Sequence, residues 1–260
     1  MTEAYRSRPR DFVASLEKGL QVLLCFDRKH ARLSLSDVAR LTGYTPAAAR
    51  RFLITLEELD YLHSDGKWFW VAPRTLLLAR PYLTSRAAPQ VAQPILDKLA
   101  DRTRQSASLG VLLDKEVLII ARSTGRRTLS TGLGIGYRLP VFCTALGRAM
   151  LSRLSKAEAL DHLAATPMDK WTPKTVDNLA AAAESVERCR RQGWGECDEE
   201  LELGVRSIAI PISDASGRTM AALSLSVRAE RMTMDAFRIA HFSALEEARD
   251  ELIRSKASFD

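Results

Sequence analysis

The sequence predicts an α+β protein in two parts, a small helical part with a β-hairpin and then a larger mixed part. Three observations carry this. Residues 34–62, SLSDVARLTGYTPAAARRFLITLEELDYL, read as two short helices joined by a tight turn. Residues 61–71, YLHSDGKWFWV, read as two β-rich stretches around Asp65-Gly66, a strong hairpin signal. After Pro89, apolar helical stripes alternate with period-two strands, as in helices packed on an antiparallel sheet.

The whole chain sets bounds. At 260 residues, with 46% hydrophobic and 27% charged, it is long enough and apolar enough to bury a core as a soluble globular protein. No apolar run is long enough to span a bilayer, and residues 1–12 have arginines but no apolar segment of a secretory signal. A cytoplasmic protein without a membrane partner is expected. Cys25, Cys143, Cys189 and Cys197 are scattered, with no CxxC, so reduced and inert thiols are expected. No His or Cys spacing points to zinc, and no metal or cofactor is expected. Residues 1–80 hold 13 Lys+Arg and 9 Asp+Glu, a net of +4; the other 180 hold 25 and 23, a net of +2. Most of the basic excess therefore lies with the helical hairpin, which is modest support for a DNA footprint.

Residues 1–11 read as disordered. Arg6, Arg8 and Arg10 are open to two readings there, a solvated tail and phosphate or minor-groove contact. Residues 15–26 form a helix with Leu16, Leu20, Leu23 and Leu24 on its apolar side, the first of a three-helix core. Ser34 is placed as an N-cap, with Asp37 completing a capping box. Val38, Ala39 and Leu41 make the apolar side of that helix, and Gly43 ends it. Thr45 caps the next helix, and Pro46 fits its first turn. Ala49, Phe52, Leu53, Leu56 and Leu59 repeat at helical spacing and face the core. Ala47, Arg50, Arg51 and Ile54 face away, a surface of small residues and arginines suited to a major groove. A hairpin directly after such a helix makes a winged helix-turn-helix, with Lys67 at the wing tip and Trp68, Phe69 and Trp70 used for packing. The bland alternative is one helical hairpin among many, with solvated arginines. Ser36, Thr45, Pro46, Ala47, Ala48, Arg50, Arg51 and Lys67 are the expected DNA-contacting set.

Pro73 opens a linker helix over residues 75–86, broken by Pro81, whose exposed leucines call for a partner subunit. Ala87-Ala88-Pro89 marks a boundary. The domains are thus expected at 1–73, 74–88 and 89–260. In the last, a helix over 91–103 precedes two strands around Asp114-Lys115. Gly132, Gly134 and Gly136 punctuate a loop without the spacing of a dinucleotide fingerprint. Thr144 caps a helix through Leu154, and helices follow over 156–165 and 175–192, the second with a stripe of Val176, Leu179, Ala183 and Val186. Strands over 205–213 and 219–227 form a hairpin, and a helix over 233–256 closes the chain.

These residues resemble the IclR family of bacterial transcriptional regulators, over residues 12–253. The first part matches through SLEKGLQVLLCF, LSLSDVARLTGY and RRFLITLEELDYL, with Arg51 at the family's usual arginine of the recognition helix. The second matches through GIGYRLPVFCTALGRAMLS and ELELGVRSIAIPISDASGRTMAALSLSV. The resemblance implies an N-terminal winged helix-turn-helix, a linker helix and a C-terminal GAF-like effector-binding domain. It also implies a homodimer or tetramer on a pseudo-palindromic operator in double-stranded DNA, and RNA polymerase as a partner if the protein activates. LPVFCTALGRAML is most similar to the branch regulating aromatic-acid catabolism, the protocatechuate and 4-hydroxybenzoate regulators. Regulation of another carbon-source pathway, of glyoxylate, acetate or sugar-acid type, is the alternative. Pro46, Ala47 and Ala48 depart from the commoner serine-threonine pattern, so an operator sequence does not carry over.

For a small carboxylate effector, the N–H groups of Ala145, Leu146 and Gly147 at a helix start are candidate donors; they need no counter-ion, which suits a chain with no obvious buried basic residue there. Ser207 and Ala209, and Ala222, Ser224 and Ser226, give the strands a small-residue face, suited equally to a ligand or to tight helix packing. By resemblance the effector pocket maps onto Thr128, Thr131, Leu139, Ala145, Leu146, Cys197, Val205 and Ser207, with Asp198 as the alternative to Cys197. Arg138 reads as a surface arginine rather than an acid-pairing one. No catalytic residue is assigned, because no base neighbours Cys143 or Cys197 in sequence. A DNA-binding protein whose C-terminal part only oligomerises is the remaining competitor.

Overall fold

The structure is a computed structural model of the 260-residue chain and describes residues 9–27, 29–85, 87–125, 133–214 and 217–255. Thr128, Thr131 and Gly132 lie outside the described residues, as do Arg6, Arg8 and Arg86. The chain divides into two compact units, residues 1–82 and 83–260.

The first unit holds helices α1 (Ala14–Leu24), α2 (Leu35–Thr42) and α3 (Pro46–Glu58) and strands β1 (Leu33–Ser34), β2 (Leu62–Ser64) and β3 (Trp68–Val71). A 3₁₀ turn (Pro73–Thr75) leads into α4 (Leu76–Ser85). The capping chemistry read from the sequence is present. Ser34 Oγ accepts from the Asp37 amide at 3.3 Å, and Asp37 accepts from the Ser34 amide at 3.0 Å. Gly43 ends α2 at φ 71°, a conformation only glycine adopts without steric cost. Thr45 Oγ1 accepts from the Ala48 amide, with Pro46 in the first turn of α3. Each such cap contributes about 1 kcal/mol, which holds the turn between α2 and α3 to one geometry. Val22, Leu33, Val38, Ala49, Leu53, Leu56 and Leu62 form the core, flanked by Phe52 and Phe69.

Three expectations fail in this unit. On α1 it is Val22 that is fully buried, whereas Leu16, Leu20 and Leu24 are 63, 47 and 74% exposed. The leucine side is the more apolar one, yet α3 takes the side bearing Gly19 and Val22, and of the four leucines Leu23 packs against the core. Leu41 and Leu59 are also exposed, since both stand at helix ends beyond the reach of the core. Pro81 does not break α4, which runs through it. A third strand, β1, was not foreseen; it adds to the hairpin in the order β1-β3-β2.

The second unit begins with α5 (Ala87–Thr103), so Ala87-Ala88-Pro89 starts a helix rather than marking a boundary; a proline is tolerated in a first turn. The division between units falls earlier, at Tyr82–Leu83 inside α4. Then come β4 (Ser106–Leu113), β5 (Glu116–Ser123), β6 (Arg138–Pro140), α6 (Ala145–Leu151), α7 (Lys156–Ala164), α8 (Leu179–Gln192), β7 (Gly195–Asp198), β8 (Val205–Ser213), β9 (Thr219–Arg228) and α9 (Met234–Arg254). Among the described residues the strands form one antiparallel sheet, ordered β6-β5-β4-β9-β8-β7. Strands β6 and β7 are too short to show a period and were not foreseen. Helix α8 starts at Leu179, capped by Asn178, and buries Ala182, Val186 and Cys189; of the expected stripe Val186 is buried and Val176 and Ala183 pack against the core, whereas Leu179 is exposed. Thr175 is held outside it, donating to the Glu200 carbonyl at 2.6 Å. Helix α6 ends at Leu151, short of Leu154.

The two faces of the sheet differ in kind. Ile208, Ile210, Ile212, Leu223 and Leu225 are fully buried on one face, where α5 and α9 pack. The other face carries Gly110, Ala209, Ala222 and Gly195, and α6 lies against it. A Cβ on Gly195 would overlap the Ala145 carbonyl, and one on Gly147 would overlap the backbone of Val141. Gly195 lets α6 sink onto the sheet, and Gly147 lets it close on the segment that leads into it.

Candidate DNA interface and effector cavity

Helix α3 presents Ala47, Arg50, Arg51 and Ile54 to the surface, all exposed, opposite the buried Ala49, Leu53 and Leu56. Thr45 and Pro46 lie at its exposed start, Ala48 is half-buried, and Ser36 is exposed in the first turn of α2. The wing closes tightly at its tip. Gly66 takes φ 92°, and Asp65 accepts from the amides of Lys67 (3.1 Å) and Trp68 (2.8 Å). Those amides hold the Asp65 carboxyl below its usual range. Lys67 Nζ stands 5.5 Å from the centre of the Trp68 ring. Arg32 stacks on Trp70 at 4.2 Å. The wing aromatics therefore serve packing and carry cations, as their half-buried positions require. Helix α3 with small and cationic residues outward, and the wing with Lys67 at its tip, together expose a positively charged surface.

The second unit contains a cavity between the start of α6 and the small-residue face of the sheet. Antiparallel register sets its floor. Arg122, Ser108, Ser224 and Ala209 stand opposite one another across β5, β4, β9 and β8. Ser106, Ser226, Ser207 and Cys197 do so across β4, β9, β8 and β7. Where the row members are glycine and alanine, α6 touches the sheet; where they are serines, space remains. Ser108, Arg122, Ser207, Ser224 and Ser226 line it on the sheet side, with Thr144, Ala145, Leu146 and Leu139 across from them. Its volume is about 50 Å³. Arg122 donates from Nη1 to Ser108 Oγ at 2.7 Å. Burial lowers the guanidinium's pKa, and the Glu202 carboxylate partly restores it.

Behind α6 a second arginine is fully engaged. Arg148 donates to Glu200 through both Nη atoms (2.5 and 2.6 Å), to the Glu196 carbonyl (2.6 Å) and through Nε to the Phe142 carbonyl (3.1 Å). Burial opposes its charge, but the Glu200 carboxylate outweighs that and raises its pKa. The pair ties α6 to the loop after β7. Cys197 donates to the Cys143 carbonyl at 3.1 Å, and burial raises the pKa of both thiols, the reverse of what a nucleophile needs.

A family model for the bacterial transcriptional regulator IclR C-terminal domain matches residues 81–252, and one for the IclR helix-turn-helix domain matches residues 15–66. The chain belongs to the IclR family. It is a DNA-binding transcriptional regulator, like its relatives, and not an enzyme. It is 36% identical to the Pca regulon regulatory protein of Pseudomonas putida, over 89% of this chain and 79% of that protein. It is 34% identical to the p-hydroxybenzoate hydroxylase transcriptional activator of Acinetobacter baylyi, over 86% of this chain and 85% of that one. Among solved structures, one described as a transcriptional regulator from Rhodococcus sp. RHA1 is 36% identical, with a TM-score of 0.78, covering 94% of this chain and 98% of that chain. The inducer-binding domain of the Acinetobacter PobR transcription factor, as a double mutant bound to 3-hydroxybenzoic acid, is 30% identical with a TM-score of 0.58, covering 63% and 96%.

In this IclR-family chain the cavity brings together Leu139, Ala145, Leu146, Cys197, Val205 and Ser207 of the expected effector set. Two members are not brought to it. The Gly147 amide donates to the Thr144 cap at 3.2 Å, and Gly147 packs on Val141 instead. Asp198 alternates to the other side of β7, where it pairs with Arg206 at 2.6 Å. Arg138 lies on the edge strand and pairs with Glu116 at 2.5 Å, a surface arginine as expected. The expectation that no basic residue serves this site fails, because Arg122 lines the cavity. Ser108, Thr144 and Glu202 also line it outside the expected set, whereas Ser224 and Ser226 belong to the small-residue face that the strand alternation predicts. Arg122 had a signal in the sequence: it interrupts the apolar strand EVLIIARS.

Proposed function

We propose that this regulator controls genes of aromatic-acid breakdown, and that a small aromatic carboxylate bound in the cavity changes its affinity for operator DNA. The observation that carries the reading is the cavity, polar along one wall and apolar along the other, under the start of α6. The similarity to regulators named for the Pca regulon and for p-hydroxybenzoate hydroxylase supports the ligand class. So does the PobR domain bound to 3-hydroxybenzoic acid. Ser207 offers a hydroxyl, Leu139 and Val205 apolar surface, and the first turn of α6 the amides of Ala145 and Leu146. Thr128 and Thr131 remain part of the proposed site by family resemblance alone.

A cavity of about 50 Å³ holds waters but is smaller than the roughly 150 Å³ that a benzene-sized ring occupies in an apolar core. An aromatic effector therefore binds a wider state than this one. That difference is the condition for a switch, because a ligand shifts an equilibrium only by its unequal affinity for two states. The lever we propose is α4, within which the two units divide. Its movement in a dimer would change the spacing of two α3 helices on a pseudo-palindromic operator. Ser36, Thr45, Pro46, Ala47, Ala48, Arg50, Arg51 and Lys67 are the proposed DNA contacts, and the protein is placed in the cytoplasm.

The test begins by selecting bound duplexes from a random DNA library. Affinity for the selected operator is then measured with and without 4-hydroxybenzoate, 3,4-dihydroxybenzoate and benzoate. A shift of about 5- to 150-fold with at least one acid is expected. Ser207→Leu fills the cavity, so it should abolish that shift and preserve operator binding. No shift with any acid would rule out the aromatic effector, and an unaltered shift in Ser207→Leu would put the site elsewhere.

A further inference from the structure

We propose that Arg122 is the residue that selects an acidic effector, and that Glu202 stands in for the effector's carboxylate in the unliganded protein. The inference rests on the reading of the cavity as the effector site. Arg122 lies near the end of β5, half-buried, between the buried Ala121 and the half-buried Ser123. Its side chain turns to the small-residue face, and Ser108, its cross-strand partner on β4, accepts from Nη1 at 2.7 Å. Ser108 is itself buried, so the bond fixes the plane of the guanidinium. A guanidinium carries five donors in a planar fork that matches a carboxylate, which makes it the cation suited to acid recognition in an enclosed site.

Glu202 lies in the loop between β7 and β8 and lines the same cavity, yet is exposed. Its field acts on Arg122 against the effect of burial. A carboxylate on an exposed loop loses strength to water and to side-chain freedom. An effector carboxylate, held between α6 and the sheet, suffers neither loss and takes its place. The rest of the loop of residues 199–204 stays in place, because Arg148 holds Glu200 to α6 and Glu199 accepts from the Gly204 amide at 2.9 Å. The cavity carries its own competitor, which sets a threshold of effector concentration.

The experiment is calorimetric titration of the full-length protein with 4-hydroxybenzoate and with 4-hydroxybenzamide, its neutral isostere. The wild type should prefer the acid by about tenfold or more, as a charge-assisted bidentate contact requires. Arg122→Gln should erase that preference mainly by weakening acid binding, with a thermal midpoint close to wild type. Glu202→Gln should strengthen acid binding severalfold and leave amide binding unchanged. If Arg122→Gln does not fold, Glu202→Gln decides alone: unchanged or weaker acid binding overturns the proposal. An acid preference that survives in Arg122→Gln overturns Arg122 as the anchor while leaving the cavity as effector site. Failure of the wild type to bind either compound overturns both.

Discussion

Arg51, Arg122 and Arg148 carry the same guanidinium into three surroundings: water, a half-open cavity and the core. Exposure leaves Arg51 available to DNA, and its removal disturbs no packing. Arg51→Ala should therefore weaken operator binding by about 1–3 kcal/mol with relaxed specificity if it reads a base, and leave the thermal midpoint nearly unchanged. If it holds a phosphate, all sequences weaken alike and the salt slope flattens. Equal binding by variant and wild type at both low and high salt would refute the groove assignment. Arg148 behaves oppositely. Glu200→Gln leaves a buried charge without its bidentate partner and should cost about 3–5 kcal/mol of stability, whereas replacing both by apolar residues of similar volume should cost much less. Denaturant unfolding of the singles and the double variant reads this directly; additive losses would show that the two side chains are not coupled.

Helix α6 decides the shape of the cavity, and its placement depends on missing side chains. Gly147→Ala puts a methyl into the Val141 backbone, which cannot move aside as a flexible side chain would. The variant should lose about 1–3 kcal/mol or more, as overpacking does, and should also weaken effector binding by displacing α6. A stable Gly147→Ala protein with normal effector affinity would show that α6 does not set the cavity. Helix α1 teaches the same lesson from the other side. Its contact with α3 is made through Gly19 near Phe52, so that close approach selects the buried face and leaves the leucines outside.

At the scale of the whole molecule those leucines need an explanation. Leu16, Leu20, Leu24, Leu76, Leu77 and Leu78 are each 47% or more exposed. Leu16, Leu20 and Leu78 line a groove in the first unit together with Phe52 and Leu59. Apolar surface of this kind in a DNA-binding regulator fits a subunit contact. We expect sedimentation velocity to give at least a dimer at micromolar concentration, and Leu16→Glu with Leu20→Glu to shift it toward monomer. Operator affinity should then fall more than about tenfold, because each subunit reads only a half-site. A monomeric wild type would remove the basis for a palindromic operator. The same groove borders Arg51, so the double variant should be compared with Arg51→Ala to separate lost assembly from a lost contact.

By itself the sequence determined the features set by local chemistry. Ser34 with Asp37, Gly43, Thr45 with Pro46 and the Asp65-Gly66 turn each act over three or four residues, so the helix-turn-helix and its wing were legible before any fold was known. The alternation of β8 and β9 was legible too, because period two separates isoleucines from serines whatever covers them. Motif resemblance added the family and six residues of the cavity's walls, Leu139, Ala145, Leu146, Cys197, Val205 and Ser207. Tertiary structure alone decided which face of α1 is buried, where α8 starts, and that β1, β6 and β7 join sheets, since each depends on partners far away in the chain. It also decided that Gly147 is a packing residue and that Asp198 faces away from the cavity. Above all it brought Arg122 to Ser108, in a cavity that Glu202 also lines. A charge in an apolar strand is visible in the sequence, but what it faces is set by sheet register and by the loop that crosses it.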